Sequence, residues 1–579
     1  MPNMIQNAKD SISQILNAAY QKAAEKGELP AGAALSGTVE IPKDSANGDF
    51  AANHAMAGAK ALHMAPRKIA ETLIANADLA DTWFASVEVA GPGFINFRLA
   101  DRWYADVLQA VTREGADYGR SDIGHGQKVM VEFVSANPTG PMHMGNARGG
   151  VLGDALASVL DRAGYQVWRE FYVNDAGNQI EKFANSIDAR YQQLLLGEEQ
   201  VAFPEDGYHG DDIKDLAKLF YEANGDRYLT VPVAERHQAM AEFGLQRNIP
   251  KMQEDLRRYG IEYDQWFFES ELHESGYVAE SVQKLTDRGY TYEKDGALWL
   301  KTSQILAEQL LKAGKKQEEI DKLELKDDVL RRANGFYTYF AADIAYHRNK
   351  LEKRGFDKAI NVWGADHHGH VARLKGAMDA LGLDGEHRLD IVLMQLVKLT
   401  RNGEVVRMSK RTGKAISLTD LLDEIPVDAA RYFFNSRPES PVEFDLELAI
   451  RQDSENPVYY VQYAHARICT LLSALAAEGH TVPASADAAL LSTPEEKELI
   501  KQLAALPEEI RLAARDYDPS RINRYVTELA ARFHRFYTVC RIKGAESDVQ
   551  AARLLLADCV RRVIAVSLGI IGVTAPEKM

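Results

Sequence analysis

One segment, from Lys128 to Asn174, constrains the fold of this chain more than any other. It begins with KVMVEFVSA, continues through the loop NPTGP into a helix of small residues from about Met144 to Ala163, and ends with YQVWREFYVN. A short run rich in β-branched residues is typical of a strand buried within a parallel sheet. The order strand, loop, helix, strand therefore predicts an α/β layout of the kind that binds nucleotides.

Around this segment the chain divides into five regions, which we place at residues 1–115, 116–180, 181–330, 331–455 and 456–579. The first indicates a mixed α/β unit, the second and fourth carry the sheet pattern, the third is charged and helical, and the last is helical almost throughout. We therefore expect an α/β multidomain protein. Its parts are a small N-terminal α+β domain, a Rossmann-like parallel-sheet domain with insertions, and an all-α C-terminal domain.

The composition narrows the class of protein. The 579 residues are 46 % hydrophobic and 26 % charged with a formal net charge of -16, which is typical of a globular protein and, taken as a whole, argues against a nucleic-acid partner. No apolar run approaches the roughly 18–20 residues of a membrane span, and the polar start MPNMIQNAKDSISQ lacks the apolar core of a signal peptide. Cys469, Cys540 and Cys559 have no CxxC spacing, so we expect reduced cysteines in a cytoplasmic protein.

The loop after the first predicted strand leads into a helix start that suits an anion. One Asn-Pro step and one Gly-Pro step within residues 137–141 prevent helix formation and fix the turn. His143 and Gly145 follow, where the helix begins. A helix N-terminus offers free N–H groups to a phosphate, and an imidazole there can add a donor. A single histidine at a helix start can equally be structural, so this pattern alone does not decide the function.

A second candidate phosphate element lies far downstream, in VVRMSKRTGKAISL. Arg407, Lys410, Arg411 and Lys414 crowd a loop that contains a glycine, and such a loop can close over a triphosphate and neutralise the leaving pyrophosphate. Alone it could be a solvated basic loop. Together with the upstream helix start on one α/β scaffold, it favours a nucleotide-dependent enzyme.

These blocks resemble those of one family. The two elements are similar to the HIGH and KMSK motifs of class I aminoacyl-tRNA synthetases, and the chain is identified more narrowly as resembling the arginyl-tRNA synthetases. The resemblance is carried by SANPTGPMHMGNARG, YVNDAGNQI, GFYTYFAADIAYH, WGADHHGH, ENPVYYVQYAHAR and TAPEKM in family order, and by NGDFAANHAMAGAK and AGPGFINF in the N-terminal region. It therefore covers nearly the whole chain.

The resemblance implies that the two motifs flank an ATP site. The residues it assigns to catalysis are His143, Asn146, Arg407 and Lys410. The residues it assigns to ATP are His143, Gly145, Asn146, Gly364, Asp366, Met408, Ser409 and Lys410. Two of them depart from the family motifs: Asn146 replaces the second histidine of HIGH, and Arg407 replaces the first lysine of KMSK. An amide can still hydrogen-bond a phosphate or ribose but carries no charge, whereas Arg407 keeps the charge.

Arginine is a demanding substrate because its planar guanidinium carries five donors that carboxylates must match. Tyr339 and Asp343 are four residues apart, so on a helix they share one face. The resemblance assigns both to the guanidinium, adds Glu269 as a second carboxylate, and places Glu132 and Asn137 at the backbone end of the amino acid. Asn137 could instead cap a turn, and Tyr339 could belong to the core.

The block WGADHHGH raises the question of a metal. His367, His368 and His370 are close in sequence, but no cysteine or second histidine pair completes a tetrahedral set, so we expect no protein-ligated metal. The resemblance instead implies that Gly364 allows close approach of the adenosine, that Asp366 contacts the ribose and that His367 binds near the arginine. Mg²⁺ is expected to arrive with the ATP, held mainly by its phosphates.

The C-terminal region answers the objection from net charge, because its basic and acidic residues are about equal in number. Arg521, Arg524, Arg532 and Arg535 form a stripe opposite an apolar face, which suits phosphate binding, although Glu528 interrupts it and leaves a merely solvated face as the alternative. From this stripe, from aromatic stacking and from the resemblance, we expect tRNA contacts at Asn53, Tyr463, Arg467, Arg532, Arg535, Tyr537 and Met579.

These observations lead to one hypothesis and two rivals. The hypothesis is ATP-dependent ligation of L-arginine to tRNA(Arg) through an arginyl-adenylate, with release of AMP and pyrophosphate, by a protein that the family leads us to expect as a monomer. One rival is a class I ligase for another amino acid. The other is an inactive relative that only binds RNA, an idea that Asn146 supports and the intact MSKR sequence opposes.

Overall fold

The computed structural model describes residues 3–365, 368–395, 397–406, 416–436 and 442–579. Within these ranges no helix is both long and apolar enough to cross a membrane. The structure has three parts along the chain, an N-terminal α+β unit, a central α/β unit and a C-terminal helical bundle, in the order that the sequence predicts.

The N-terminal unit is a four-stranded antiparallel sheet, in the order β1-β2-β4-β3, packed against helices. The segment from His54 to Asn76 forms two helices rather than one, because Pro66 starts a new helix. Its elements are α1 (Met4–Glu25), β1 (Val39–Glu40), β2 (Phe50–Ala52), α2 (His54–Leu62), α3 (Pro66–Asn76), β3 (Phe84–Ala90), β4 (Phe94–Leu99) and α4 (Asp101–Glu114).

The central unit is built on a five-stranded, entirely parallel sheet in the order β12-β11-β5-β6-β7. Its strands are β5 (Lys128–Glu132), β6 (Gln166–Val173), β7 (Gln265–Phe268), β11 (Lys358–Gly364) and β12 (Leu389–Met394). Strand β5 is the predicted buried strand, and it lies at the centre of the sheet. Helix α5 (Met144–Arg162) crosses from β5 to β6 as predicted, and it packs close because a Cβ on Gly153 would overlap the Phe133 ring.

Helices and two small sheets surround this sheet. The region 181–330 contributes β7 to the central sheet and three further short strands, which the sequence analysis does not anticipate, besides its predicted helices. The elements between β6 and β11 are α6 (Asn178–Leu196), α7 (Asp211–Asn224), α8 (Val233–Arg258), α9 (Glu269–Glu274), α10 (Tyr277–Asp287), β8 (Thr291–Lys294), β9 (Ala297–Leu300), α11 (Thr302–Lys312), α12 (Gln317–Ile320), β10 (Asp328–Arg331) and α13 (Tyr339–Arg348).

The chain then returns to the sheet and leaves it for the C-terminal bundle. Residues 389–394 form β12 of the central sheet, whereas residues 397–401 form a separate strand that belongs to another small sheet. The remaining elements are α14 (His368–Ala380), α15 (Gly385–Arg388), β13 (Val397–Arg401), β14 (Glu404–Val405), α16 (Leu418–Glu424), α17 (Val427–Asn435), β15 (Val442–Asp445), α18 (Leu446–Ile450), α19 (Pro457–Ala477), α20 (Pro494–Asp516), α21 (Ser520–Val539) and α22 (Ser547–Ile570).

Candidate active site

The site lies where the parallel strands end. Glu132 pairs with Asn361, Gly364 pairs with Met394, and Val173 pairs with Phe268, so the carboxyl ends of all five strands meet at one edge of the sheet. In an open parallel sheet this edge is where ligands bind. The loops that leave it carry the segments that the sequence analysis singles out.

His143 and Asn146 together start helix α5. The Nδ1 atom of His143 accepts a hydrogen bond from the Gly145 N–H at 3.0 Å, and the Oδ1 atom of Asn146 accepts one from the His143 N–H at 3.0 Å. This reciprocal capping box fixes the first turn. Because Nδ1 is an acceptor, a neutral His143 carries its proton on Nε2, and that exposed ring can donate to a phosphate oxygen.

The segment directly after the second motif meets the first motif in the structure. Residues 407–415 lie outside the described residues, and with them the predicted Arg407, Met408, Ser409 and Lys410. The segment directly after them is hydrogen-bonded to the start of α5: Met144 N–H donates to Ile416 at 3.1 Å, and Leu418 N–H donates to Met142 at 2.9 Å. The residues that follow the predicted cationic loop are therefore anchored on the segment that contains His143.

Three predicted carboxylates act on one tyrosine, one through a hydrogen bond and two through their charge. The Tyr172 hydroxyl at the end of β6 donates to Glu269 Oε2 at 2.8 Å. Burial raises the pKa of Tyr172 well above its usual value, and the charges of Glu269, Asp343 and Glu132 raise it further. The phenol therefore stays protonated as a donor. Sequence reasoning does not single out Tyr172, although its place at a strand end within YVNDAGNQI is a usable signal.

Each of these carboxylates also has a partner of its own. Glu132 accepts hydrogen bonds from Lys350 Nζ at 2.6 Å and from Ser135 Oγ at 2.8 Å. Glu269 lies 3.3 Å from His273 Nε2, and its proximity raises the pKa of that histidine. Asp343 Oδ2 lies 2.9 Å from His370 Nε2. These partners orient the carboxylates before any substrate binds.

Tyr339 and Asp343 lie one turn apart on α13, as their spacing predicts. Tyr339 is 45 % exposed, so the structure does not place it in the core. Its hydroxyl passes close to Gly177, where an added Cβ would lie 3.5 Å away. Asn137 is exposed in the loop after β5, and Gly364 ends β11. Asp366 and His367 lie outside the described residues.

The predicted RNA residues of the C-terminal bundle fall into two groups. Arg467 lies over the rings of Tyr463 and Tyr537, 4.9 Å from each centroid, beside His534. This cluster combines a cation with partly exposed rings, and its members come from α19 and α21. The tail that carries the exposed Met579 is held to α19 by His465, whose Nδ1 lies 2.9 Å from the Pro576 carbonyl.

The predicted arginine stripe is largely neutralised. Arg532 is paired with Glu498 and Glu528 at 3.1 and 2.7 Å, Arg521 with Glu509, and Arg524 with Asp518. Arg535 is exposed. In the N-terminal unit, both polar atoms of the Asn53 amide are bonded to Thr38, at 2.7 and 2.8 Å. Asn53 thus stabilises its own loop, and its predicted tRNA contact stays a prediction.

Comparison with known proteins identifies three family models along the chain. They are the arginyl-tRNA synthetase N-terminal domain at residues 6–99, the catalytic domain of class I (R) tRNA synthetases at 107–442, and the DALR anticodon-binding domain at 461–579. Each family model matches a separate part of the structure in chain order.

Relatives that match over the full length agree with these models. The chain is 52 % identical to an arginine–tRNA ligase of Acetivibrio thermocellus and 54 % identical to one of Caldanaerobacter subterraneus, with 100 % of each chain covered. The arginyl-tRNA synthetase of Thermus thermophilus, at 21 % identity, shares the fold with a TM-score of 0.73 over 99 % of this chain and 100 % of that one. Full-length identity of this size, the three models and the site geometry agree: the chain belongs to the arginyl-tRNA synthetases of class I.

Proposed function

We propose that this chain ligates L-arginine to tRNA(Arg) in two steps at the edge of the parallel sheet. The arginine carboxylate first attacks the α-phosphorus of ATP, which forms arginyl-adenylate and releases pyrophosphate. A terminal hydroxyl of the tRNA then attacks the adenylate carbonyl and releases AMP. No protein nucleophile takes part, so catalysis consists of positioning and electrostatic stabilisation.

The phosphates bind at the start of α5. The Nε2–H of His143 and the positive end of the α5 helix dipole face the transferring phosphate, and Arg407 and Lys410 neutralise the pyrophosphate as it leaves. The hydrogen bonds between 142–144 and 416–418 support this assignment, because they attach the residues that follow the cationic loop to the helix start. Mg²⁺ accompanies the ATP and is held mainly by the phosphates.

The remaining ATP contacts come from the ends of β11 and the cationic loop. Gly364 and Asp366 contact the adenosine, while Gly145, Asn146, Met408 and Ser409 border the phosphates. The place of Gly364 at the carboxyl end of a central parallel strand supports this part of the proposal.

Arginine binds among the carboxylates around Tyr172. Asp343 and Glu269 pair with the guanidinium, Tyr339 covers it, and Glu132 accepts from the α-ammonium, with Asn137 and His367 nearby. The hydrogen bond from Tyr172 to Glu269, on a phenol that the charges of Asp343 and Glu132 also act on, is the observation that carries this proposal, because such a group of carboxylates suits a cationic side chain.

The tRNA contacts follow the C-terminal bundle. Tyr463, Arg467 and Tyr537 form a stacking platform for unpaired bases next to the tail that ends at Met579. Arg535 adds a phosphate contact, whereas the ion pairs of Arg532 reduce its contribution. We propose further that the protein acts as a cytoplasmic monomer. The unpaired state of Cys469, Cys540 and Cys559 supports that compartment.

Amino-acid-dependent exchange of pyrophosphate into ATP, measured with tRNA present, tests the substrate. We expect exchange with arginine and none above background with glutamate or cysteine, because neither brings a side-chain cation to Glu269 and Asp343. We expect none with lysine either, because its ammonium lacks the planar set of donors that pairs with a carboxylate through two hydrogen bonds. Exchange with glutamate or cysteine in place of arginine would assign the chain to another class I specificity. Intact tRNA binding without any exchange would identify an inactive relative.

Asp343→Ala tests the pocket. We expect it to abolish arginine activation and to change the affinity for tRNA by less than about tenfold, or about 1.4 kcal/mol, because Asp343 lies far along the chain from the C-terminal bundle. Exchange kinetics and filter binding provide the two measurements. The exposed Asp384→Ala serves as the matched control. An equal loss of both functions would make Asp343 a structural residue.

A further inference from the structure

Helix α13 presents a polar face to the inside of the protein. Asp343, His347, Lys350 and Arg354 recur at intervals of three and four, and the helix continues past Arg348 as a π-helical turn over Asn349–Lys353. The side chain of Lys350 in this turn is fully buried. A π-turn in a helix is frequent at functional sites.

The buried ammonium of Lys350 is held by groups from three elements. Its Nζ donates to Glu132 Oε2 at 2.6 Å and to Asn361 Oδ1 at 3.0 Å, and it lies 4.1 Å from the centre of the Tyr346 ring. Burying a charge is costly unless it is paired and hydrogen-bonded. Lys350 meets this condition only because Glu132 stands at the carboxyl end of the central strand.

The same network reaches the other end of the arginine pocket. Asn361 Nδ2 donates to His347 Nε2 at 2.7 Å, and His347 Nδ1 donates to the Asp343 carbonyl at 2.8 Å. Burial, with the neighbouring Lys350, lowers the pKa of His347 well below its usual value, which agrees with a neutral ring that donates from one nitrogen and accepts at the other. A continuous buried chain thus links Glu132 to the backbone of Asp343.

Glu132 retains capacity for a further donor. A carboxylate has about four lone-pair sites, and in this structure Lys350 and Ser135 each use one. Lys350 therefore fixes the carboxylate without saturating it.

We infer that Lys350 is a positioning residue for amino-acid recognition: it holds Glu132 in place to accept the α-ammonium of arginine and fixes the distance from Glu132 to Asp343. This inference rests on the proposed function, in which Glu132 and Asp343 bind opposite ends of the substrate. It assigns a role to a residue that does not itself touch the substrate.

The test is Lys350→Met, which keeps the length of the side chain and removes the charge. We expect the KM for arginine to rise at least about tenfold, or about 1.4 kcal/mol, and the KM for ATP to stay within about twofold. Agmatine keeps both cationic ends of arginine, and 5-guanidinopentanoate lacks only the α-amino group. Inhibition by agmatine should weaken about as much as the KM rises, whereas inhibition by 5-guanidinopentanoate should not change.

Lys358→Met is the matched control. Lys358 also pairs with a carboxylate, Asp390 at 2.7 Å, but at the opposite end of β11 from the site. We expect it to leave both inhibition constants unchanged. Equal weakening of both competitors by Lys350→Met would overturn the inference, because it would indicate a general distortion of the pocket.

Glu132→Gln separates this inference from the proposal on which it rests. If Glu132→Gln weakens inhibition by agmatine but not by 5-guanidinopentanoate, and Lys350→Met changes neither, then Glu132 binds the ammonium without needing Lys350 and the inference fails. If Glu132→Gln leaves inhibition by agmatine unchanged, both the inference and the proposed role of Glu132 fail. When both singles act, the double variant should be no worse than the stronger single, because Lys350 acts through Glu132.

Inhibition constants do not depend on the fraction of folded enzyme, so partial unfolding of Lys350→Met does not disturb the comparison. If that variant yields no folded protein, Asn361→Ala replaces it. Asn361→Ala removes one acceptor of the ammonium but keeps both charges, and we expect the same selective weakening of agmatine at a smaller size. An equal effect on both competitors would again overturn the inference.

Discussion

Buried and half-buried histidines in all three parts of the protein give it a pH dependence that its surface charges do not explain. Burial lowers the pKa of His347 well below its usual value, and burial also lowers the pKa of His54, His465 and His534. For each, the folded protein favours the neutral ring. Their stabilising contribution is therefore complete above a pH of about 6.5, the usual pKa of histidine, and it is lost as the pH falls below that value.

The His347→Gln variant isolates one of these groups. An amide keeps a donor and an acceptor but does not titrate, so the midpoint of thermal unfolding should fall less steeply below a pH of about 6.5 than in the parent. The difference is at most about 1.4 kcal/mol per pH unit for one proton. His480→Gln, at an exposed position, should reproduce the parent profile. A parent-like profile for His347→Gln would assign the pH dependence to the other histidines.

At the scale of elements, the start of α5 combines a structural and a catalytic task. The side chains of His143 and Asn146 form a capping box. The asparagine that replaces the second histidine of the family motif therefore still caps the helix. A side chain that caps a helix lies at the positive end of the helix dipole, which is where we propose that the phosphate binds. A substitution that changes the charge at this position but keeps the helix cap is therefore needed to distinguish the two roles.

Asn146→Asp makes that separation. A carboxylate still accepts from the His143 N–H, so the midpoint of thermal unfolding should stay within about 1 °C of the parent, consistent with a change of a few tenths of a kcal/mol. The added negative charge should raise the KM for ATP at least about tenfold by repulsion. Asn146→Ala, in contrast, should lower the unfolding midpoint through loss of the cap. An unchanged KM for ATP in Asn146→Asp would mean that residue 146 serves the helix alone.

At the scale of the whole molecule, the catalytic sheet and the C-terminal bundle are joined by a buried arginine. Arg431 donates to the carbonyls of Ile571 and Tyr259 at 3.1 and 3.0 Å and pairs with Asp154 at 2.5 Å, on the helix that begins at His143. Asp154 is also bonded to Arg169 on β6. One side chain thus connects the end of the bundle to α5 and the sheet.

Arg431→Met should destabilise the protein by about 3–5 kcal/mol, because it leaves a buried carboxylate with one partner fewer and carbonyls without a donor. Differential scanning calorimetry should show a lower transition, and the unfolding of the bundle should separate from that of the sheet. Arg515→Met, at an exposed pair with the adjacent Asp516, should give a parent-like scan. A single transition at the parent temperature would show that apolar packing alone joins the two parts.

Residues that are close together in the sequence account for the local features of this fold. The strand, loop and helix from 128 to 163, the helix start at His143 and the shared face of Tyr339 and Asp343 all follow from propensities, capping residues and spacing within one or two turns. The family resemblance, which depends on ordered local blocks, is confirmed by the full-length relatives. These features are visible in the sequence because neighbours along the chain produce them.

The remaining features depend on contacts between segments that are distant in the sequence. Lys350 meets Glu132 across 218 positions, Tyr172 meets Glu269 across 97, and Arg532 is paired with Glu498 instead of standing free for RNA. The short strand at Gln265–Phe268 joins the sheet only because β6 offers it a parallel edge. Such contacts depend on which distant segments the core brings together, and a buried charge must find a partner there. The spacing of residues along the chain therefore does not predict that partner.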